Sequence, residues 1–145
     1  MITQLEYQQI YDIVGAAMEV HKVLGRGMEE PIYQEALQME LRDRGIVVER
    51  EKRLRLFYKE RLLQKTYLAD FICNDIIVEL KSVEYIVSEH RAQLFNYMRI
   101  TKMYKGLLIN FGEKSLRAER YLYLPEIDDF VLLSQLNYKD YISDL

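Results

Sequence analysis

Residues 66–81 read as two β-strands joined by a tight turn at Asn74 and Asp75. Asn and Asp tolerate the positive φ that a two-residue hairpin turn requires. With the turn at these residues, Asp70 lies opposite Glu79, and side-chain alternation places Lys81 on the same face. Two carboxylates directly opposite each other repel, which destabilises a sheet. A divalent cation would convert that repulsion into a binding site, so this hairpin is a candidate metal site.

The second face of the same hairpin is wholly apolar. Its members alternate with the charged residues along both strands, and they are Phe71, Cys73, Ile76, Val78 and Leu80. We therefore expect this face to be buried. Cys73 is then expected to be a buried and unreactive thiol.

The composition is that of a single domain. With 145 residues, half of them apolar and 30% charged, the chain is long enough for a substantial core. No apolar run reaches the roughly 18–20 residues of a transmembrane helix, and the first residues lack the basic and apolar regions of a secretory signal. One cysteine excludes a disulfide framework within the chain. These features predict a cytoplasmic protein that does not bind membranes.

The charge is unevenly distributed. The net charge of −3 argues against a protein that coats nucleic acid by bulk electrostatics. Residues 50–65 are nevertheless rich in Arg and Lys, and among them Lys52, Arg53 and Arg55 are candidate contacts for a phosphate backbone. The alternative is that these side chains belong to solvated strand faces and loops.

Periodicity close to 3.6 predicts helices at residues 3–24, 29–45, 88–101 and 128–141. The first helix opens with the capping box Thr3-x-x-Glu6 and ends at Gly25, and Ser88 is the expected cap of the third. In the last helix, the side chains expected to pack inward are Phe130, Leu133 and Leu136.

Alternating or continuous apolar runs predict strands around the 66–81 hairpin, at residues 46–50, 54–58, 62–68, 105–111 and 120–124. Lys59, Glu60 and Arg61 read as the tip of a further hairpin. This order of elements predicts an α/β fold in which a central mixed sheet is flanked by helices.

Several motifs accompany the charged hairpin. Its acids and lysine form the pattern Asp-x8-Glu-x-Lys, and residues 27–33 form Gly-x-x-Glu-x-x-Tyr. Further motifs lie at residues 21–25, 35–37, 69–71, 78–81, 92–97 and 106–111. In all these motifs and in their order, the chain resembles the PD-(D/E)XK nuclease superfamily, and in particular the GxxExxY family within it, over residues 8–112.

The resemblance implies a restriction-endonuclease-like core within residues 1–125, with a central mixed sheet and flanking helices. Residues 126–145 are then a C-terminal tail, expected to be helical and to pack on the same domain. The resemblance also implies Mg²⁺ or Mn²⁺ as cofactor and nucleic acid, in particular DNA, as partner. Mg²⁺ prefers hard oxygen ligands and takes one or two carboxylates together with water and substrate phosphate.

Carried over residue by residue, the resemblance makes Asp70 and Glu79 the metal carboxylates and Glu30 a further acidic ligand. It makes Lys81 the residue that orients or activates the attacking water. The alternative for Asp70, Glu79 and Lys81 is a structural ion-pair cluster. The alternative for Glu30 is compensation of the helix dipole at the start of its helix.

Gln93 and Tyr97 resemble the Gln-x-x-x-Tyr motif of recombination-type nucleases, and their i, i+4 spacing places both on one helix face. His21 resembles the histidine of the first motif of the same enzymes. The alternatives are a buried polar pair for Gln93 and Tyr97, a hydrogen-bonded core histidine for His21, and core packing for Tyr33.

Three functions follow from these features. The first is a metal-dependent phosphodiesterase that acts on nucleic acid. The second is a catalytically silent nuclease fold that binds nucleic acid. The third is a protein-interaction subunit, with a homodimer among its forms, whose basic hairpin or tail docks a partner. The intact carboxylate pair beside a lysine favours the first, because a degenerate module has no reason to keep two repelling acids.

Overall fold

The computed structural model describes residues 1–144 as a mixed α/β structure with one central sheet. The order of elements is α1 (Gln4–Leu24), α2 (Glu30–Asp43), β1 (Glu49–Tyr58), β2 (Arg61–Cys73), β3 (Ile76–Lys81), α3 (Ser88–Thr101), β4 (Lys105–Asn110), β5 (Arg117–Leu124), β6 (Asp129–Leu133) and a short 3-10 helix, Tyr138–Tyr141. The six strands lie in sequence order across the sheet. Neighbours are antiparallel except β3 and β4, which are parallel and connected through α3. The predicted fold class is confirmed.

Helices cover both faces of the sheet and divide the core into two layers. The layer beneath α1 and α2 includes Ile10, Val14, Tyr33, Leu37, Phe71, Val78 and Leu107. The layer beneath α3 includes Leu56, Tyr67, Ile77, Leu94, Met98 and Leu108. The apolar hairpin face predicted from the sequence belongs to the first layer. Cys73 is buried there, and burial raises its pKa to about 12, as expected of an unreactive thiol.

Local signals in the sequence set the limits of α1. The Oγ1 of Thr3 accepts a hydrogen bond from the N–H of Glu6 at 3.1 Å, and the carboxylate of Glu6 accepts one from the N–H of Thr3 at 3.0 Å. This reciprocal pair satisfies two of the free donors at the helix start. Gly25 ends the helix with φ of +71°, a conformation that glycine adopts without a Cβ penalty.

The hairpin predicted at residues 66–81 is confirmed. Cys73 pairs with Ile76 and Ile72 pairs with Ile77, so the turn falls on residues 74 and 75. Asn74 has φ of +56°, as the sequence predicts for this turn.

Strand β2 is much longer than its contact with β3. It pairs with β3 only over residues 71–73, whereas it pairs with β1 over most of its length. The far part of the β1–β2 hairpin therefore extends past the end of β3, and we call residues 52–69 the arm. One side of the arm packs against α3 through Leu54, Leu56, Leu63 and Tyr67.

The helix predicted at residues 128–141 is wrong. Residues 129–133 form the edge strand β6, which pairs with β5, and helical structure in the tail is limited to the single 3-10 turn. Phe130 and Leu133 do pack inward, but Leu136 is 97% exposed. Short apolar runs do not distinguish a strand from a helix, and here pairing with β5 decides. Leu145, the last residue of the predicted tail, lies outside the described residues.

Two predicted boundaries also differ. The strands predicted at 46–50 and 54–58 are one continuous strand, β1, which begins at Glu49, so residues 46–48 lie before it. Ser88 is the first residue of α3, and Val87 occupies the cap position. Within residues 1–144, none of the helices combines the length and hydrophobicity that a membrane crossing needs.

Candidate active site

Strands β2 and β3 separate beyond the pair formed by Phe71 and Val78, and we call this opening the fork. At the fork, the carboxylate of Asp70 replaces a backbone carbonyl as acceptor. Asp70 Oδ2 accepts a hydrogen bond from the N–H of Leu80 at 2.8 Å, and the backbone of Asp70 lowers the pKa of Glu79. Asp70 and Glu79 are therefore not the regular cross-strand pair that the sequence predicted, but both carboxylates lie at the same opening.

A slip in β2 explains the difference. Tyr67 and Ala69 pack in the layer beneath α3, whereas Phe71 packs in the layer beneath α1 and α2, so alternation shifts by one residue at Asp70. Across the strand pair, Glu51 has φ of +52°, which is uncommon for a residue other than glycine. The pairs on both sides of this point are kept. The irregularity is therefore local to Asp70 and its neighbour in β1.

Asp70 lines a cleft of about 620 Å³ between the start of α2 and the fork. Gln34 donates a hydrogen bond from Nε2 to the carbonyl of Asp70 at 3.3 Å, which connects α2 to this strand. Burial raises the pKa of the Asp70 carboxyl, the N–H of Leu80 lowers it, the Glu30 carboxylate raises it and the Lys81 ammonium lowers it. Glu30 also lines the cleft, so the structure brings Asp70, Glu30 and Lys81 into one electrostatic environment.

Glu79 lies on the α3 side of the fork. Its Oε1 accepts a hydrogen bond from the hydroxyl of Tyr67. Burial raises the pKa of Glu79 to about 7, against the opposing effects of the Asp70 backbone and the Lys81 ammonium, and the Glu30 carboxylate raises it further. Lys81 and Glu30 thus act on both fork carboxylates. Glu79 is not among the residues that line the cleft.

The loop that follows Lys81 is fixed by the buried side chain of Asn110. Its Oδ1 accepts hydrogen bonds from the N–H groups of Val83 and Gly112, both at 3.0 Å. Its Nδ2 donates to the carbonyl of Val83 and to the carboxylate of Glu113, both at 2.9 Å. Asn110 therefore makes four hydrogen bonds to three residues, and a residue that ends β4 holds the backbone that leaves β3.

Tyr33 is a structural residue of the loop that leads into α2. Its hydroxyl donates to the carbonyl of Gly25 at 2.6 Å and accepts from the N–H of Met28 at 3.2 Å, and its ring stacks on Phe111 at 4.5 Å. Ser82 donates from Oγ to the carbonyl of Met28 at 2.6 Å, which connects the loop to the end of β3. The core-packing interpretation of Tyr33 fits its complete burial.

Gln93 and Tyr97 share one face of α3, as their spacing predicts, but they line a groove separate from the cleft of Asp70. Tyr97 stacks on Tyr67 with ring centroids 3.5 Å apart and an angle of 9° between planes. Because Tyr67 also donates to Glu79, Tyr97 is one contact removed from the fork.

His21 lies away from the cleft. Its Nε2 is 2.9 Å from the carbonyl oxygen of Glu113, and its ring is tilted against Phe111 with centroids 6.2 Å apart. The carboxylate of Glu113 accepts a hydrogen bond from Asn110. His21 therefore reaches the fork only through the loop that Asn110 holds.

The three basic candidates on β1 do not lie on one side of the arm. Lys52 alternates with Leu54 on the α3 side and pairs with the carboxylate of Glu49 at 2.8 Å. Arg53 and Arg55 point to the opposite side, where Arg53 donates from Nη1 to Thr66 Oγ1 at 2.6 Å. Arg53 and Arg55 are thus positioned together, and Lys52 is separate from them.

The fork carboxylates provide the oxygen chemistry that a divalent cation needs. Asp70 retains one oxygen beyond the bond to Leu80, and Glu79 retains one beyond the bond to Tyr67. Within residues 1–144, no group of three or more His, Cys, Asp or Glu side chains is placed to hold a metal ion together. Two carboxylates still fit Mg²⁺ or Mn²⁺, because such ions complete their shell with water and substrate phosphate.

Four residues at the site are not predicted from the sequence: Gln34, Glu51, Tyr67 and Asn110. Strict alternation from Phe71 places Tyr67 in the layer beneath α1 and α2, so only the slip at Asp70 brings it to Glu79. A polar residue that closes an apolar strand is a weak signal that could have indicated Asn110. The sequence around Gln34 and Glu51 carries no comparable signal.

Comparison with known proteins gives one result at the level of family. A family model described as the PD-(D/E)XK nuclease superfamily matches residues 7–121. No curated protein and no solved structure matches the chain. The matched region contains α2, the fork and α3 and extends to β5. Members of this superfamily typically use divalent metal ions, in agreement with the oxygen donors at the fork. Since the match covers most of the chain, this protein belongs to the PD-(D/E)XK nuclease superfamily.

Proposed function

We propose that this chain is a metal-dependent nuclease that hydrolyses phosphodiester bonds in DNA. The observation that supports the proposal is the pair of carboxylates at the fork. Asp70 accepts a hydrogen bond from the N–H of Leu80, and Glu79, the residue before Leu80, accepts one from the hydroxyl of Tyr67. This arrangement concentrates negative charge beside a single ammonium, that of Lys81, which acts on both carboxylates. We also propose membership of the GxxExxY family, on the motif at residues 27–33.

In the proposed site, Asp70 and Glu79 would hold Mg²⁺ or Mn²⁺. Glu30, predicted as a further acidic ligand, would act from α2 through its charge, because no three such side chains of the described residues are placed on one ion. Such an ion would supply a more reactive water and would offset the charge that develops on the phosphate. Lys81 would hold the attacking water and neutralise the phosphate oxygens through its ammonium group. Its position depends on the loop that Asn110 fixes.

The remaining predicted site residues support these groups. Tyr97 holds the ring of Tyr67 by stacking, so that the Tyr67 hydroxyl keeps the carboxylate of Glu79 oriented. Gln93, one turn earlier on α3, faces the adjacent groove and is available to nucleic acid there. His21 acts through the Glu113 carbonyl as a positioning residue. Arg53 and Arg55 contact phosphates beside the cleft, and Lys52 contributes only through its charge.

The test is cleavage of plasmid DNA by the full chain with Mg²⁺, with Mn²⁺ and with a chelator. Cleavage should require the metal, and Lys81→Ala should lose at least about a hundredfold in rate, the order expected for a group that stabilises transition-state charge. Lys114→Ala removes an exposed lysine and should leave the rate unchanged. Circular dichroism should show that both variants remain folded. Metal-independent nicking that survives in Lys81→Ala would indicate contamination and contradict the proposal.

A second candidate is a nucleic-acid-binding module that keeps the nuclease fold without turnover. The position of Glu79 favours it, because the carboxylate is engaged by Tyr67 and does not line the cleft. This function predicts salt-sensitive DNA binding and no cleavage with either metal. Cytoplasmic location, homodimer formation and docking of a protein partner stay predictions. Gel filtration of the Lys52, Arg53 and Arg55 variants would test assembly.

A further inference from the structure

The side of the arm that faces away from α3 has a regular composition. Pairing in the hairpin places Arg53 opposite Leu68, Arg55 opposite Thr66, and Phe57 opposite Leu62. Residues of the other side, such as Leu54, Leu56 and Tyr67, pack in the layer beneath α3. Alternation therefore directs the first two pairs away from that layer. Beyond a register shift between Arg55 and Phe57, the third pair alternates with Leu56 and Leu63, which also pack in that layer. We call these six residues the outer side of the arm.

Large apolar side chains on the outer side are exposed. Phe57 is 47% exposed, Leu62 58% and Leu68 47%. Leu68 lies across from Arg53, and Phe57 and Leu62 lie across from each other, two positions beyond Arg55 on β1. Exposed apolar side chains that are interleaved with arginines are typical of surfaces that bind unpaired nucleotides.

The charge of the arm complements nucleic acid. Residues 52–65 contain six basic side chains and one acidic one, although the whole chain has a net charge of −3. A polyanion is therefore attracted to the arm and repelled by the rest of the protein. A second copy of this chain would bring a similarly basic arm against the first, which like-charge repulsion disfavours.

The outer side is continuous with the cleft. After Leu68, the next β2 position of the same alternation is Asp70, and before Arg53 on β1 the corresponding position is Glu51. Both acids line the cleft. At about 3.3 Å per residue, the distance from Leu62 to Asp70 is about 25 Å. A strand lying along the arm would thus lead directly to the fork.

We propose that the outer side of the arm binds an unpaired stretch of the nucleic acid and delivers its backbone to Asp70. Arg53 and Arg55 contact phosphates, and Phe57, Leu62 and Leu68 contact the faces of the bases. In a duplex the base faces are stacked and inaccessible, whereas an unpaired strand presents them to apolar side chains. The proposal rests on the proposed function and specifies its substrate as one that contains single-stranded nucleic acid.

The experiment measures binding in a chelator, so that cleavage plays no part. Fluorescence anisotropy of the full chain is recorded with a labelled single-stranded DNA of 20 nucleotides and with the same DNA as a duplex. The single strand should bind at least about tenfold more tightly. Phe57→Ala should weaken binding of the single strand about tenfold, the effect of losing one stacked base, and should leave duplex binding unchanged.

Charge controls come from the same strand. Arg55→Ala should weaken single-strand binding and reduce its dependence on salt, because one phosphate contact is lost. Lys52→Ala removes an equal charge from the α3 side and should have a smaller effect. Leu62→Ser serves as a second apolar variant, and circular dichroism checks the fold of each protein.

Equal affinity for single strand and duplex, or Phe57→Ala binding as tightly as the wild type, would overturn the proposal. A dimer in gel filtration that dissociates in Phe57→Ala would assign the outer side to self-association and would overturn it as well. Binding as expected without cleavage under any metal would contradict the proposed nuclease and leave the binding surface supported. Cleavage of duplex DNA together with unchanged single-strand binding by Phe57→Ala would support the proposed nuclease and contradict the binding surface.

Discussion

Replacing Glu119 with glutamine should remove a pH-dependent part of the stability of this protein. Glu119 lies on β5 with its side chain 5% exposed. Arg91, on α3, donates to its two oxygens from Nε at 2.7 Å and from Nη2 at 2.9 Å. Arg117 donates at 2.9 Å and the hydroxyl of Tyr121 at 2.5 Å. This carboxylate therefore fastens α3 to the sheet.

The magnitude follows from the pKa of Glu119, which the Arg91 guanidinium lowers from 4.5 to about 2 against the effect of burial. A lowered folded-state pKa stabilises the protein in full above the unfolded value, and this stabilisation is lost as the pH falls from 4.5 toward 2. A shift of this size corresponds to at most about 3 kcal/mol at pH 7 and to about half of that or less at pH 3. For a chain of this length, about 3 kcal/mol changes Tm by about 10 °C.

Thermal unfolding followed by circular dichroism at pH 7 and pH 3 measures the effect. Glu119→Gln should have a Tm about 10 °C below that of the wild type at pH 7, and the difference should shrink by more than half at pH 3. Glu126→Gln replaces an exposed carboxylate and is the matched control, with little change at either pH. A difference for Glu119→Gln that is the same at both pH values would refute the electrostatic reasoning and indicate a loss of packing alone.

Two further variants test the parts that hold the fork. Gly112→Ala should lower the free energy of unfolding by about 3 kcal/mol or more, because its Cβ would lie 2.1 Å from the Val83 carbonyl oxygen. The control is Gly15→Ala, in a helix with only ordinary contacts, which should leave the free energy of unfolding unchanged or raise it by about 0.5–1 kcal/mol. Denaturant titration compares the two variants. Tyr67→Phe keeps the ring but removes the donor to Glu79, so cleavage should slow about 10–100-fold with little change in Tm; an unchanged rate would exclude an orienting role for that hydroxyl.

Much of the fold follows from local signals that act within a few residues. The hairpin at 66–81 is predictable because Asn74 supplies the positive φ and because a shift of register by one would expose the apolar face. The start of α1 is predictable because Thr3 and Glu6 satisfy each other's backbone donors. Neither signal depends on the rest of the chain.

The errors arise where distant contacts override local pattern. Strand β6 has a spacing between Phe130 and Leu133 that also suits a helix, and only the open edge of β5 determines its structure. The slip at Asp70 accompanies a positive φ at Glu51, a residue type that gives no warning of it. Site residues predicted from the motifs therefore include those at the fork but not Tyr67, which reaches it through the slip.

The contrast between Glu119 and the fork carboxylates bears on the ion-pair alternative for Asp70, Glu79 and Lys81. A structural ion pair surrounds a carboxylate with enough cations to lower its pKa, as two guanidinium groups do for Glu119. At the fork the balance is opposite, because burial outweighs the effect of the Lys81 ammonium on both carboxylates and the Glu30 carboxylate adds to the repulsion. Burial raises the pKa of both Asp70 and Glu79, so their ionised forms destabilise the fold. The fork carboxylates therefore differ from the ion pairs of Glu119, and the proposed divalent cation would supply the positive charge that offsets their repulsion.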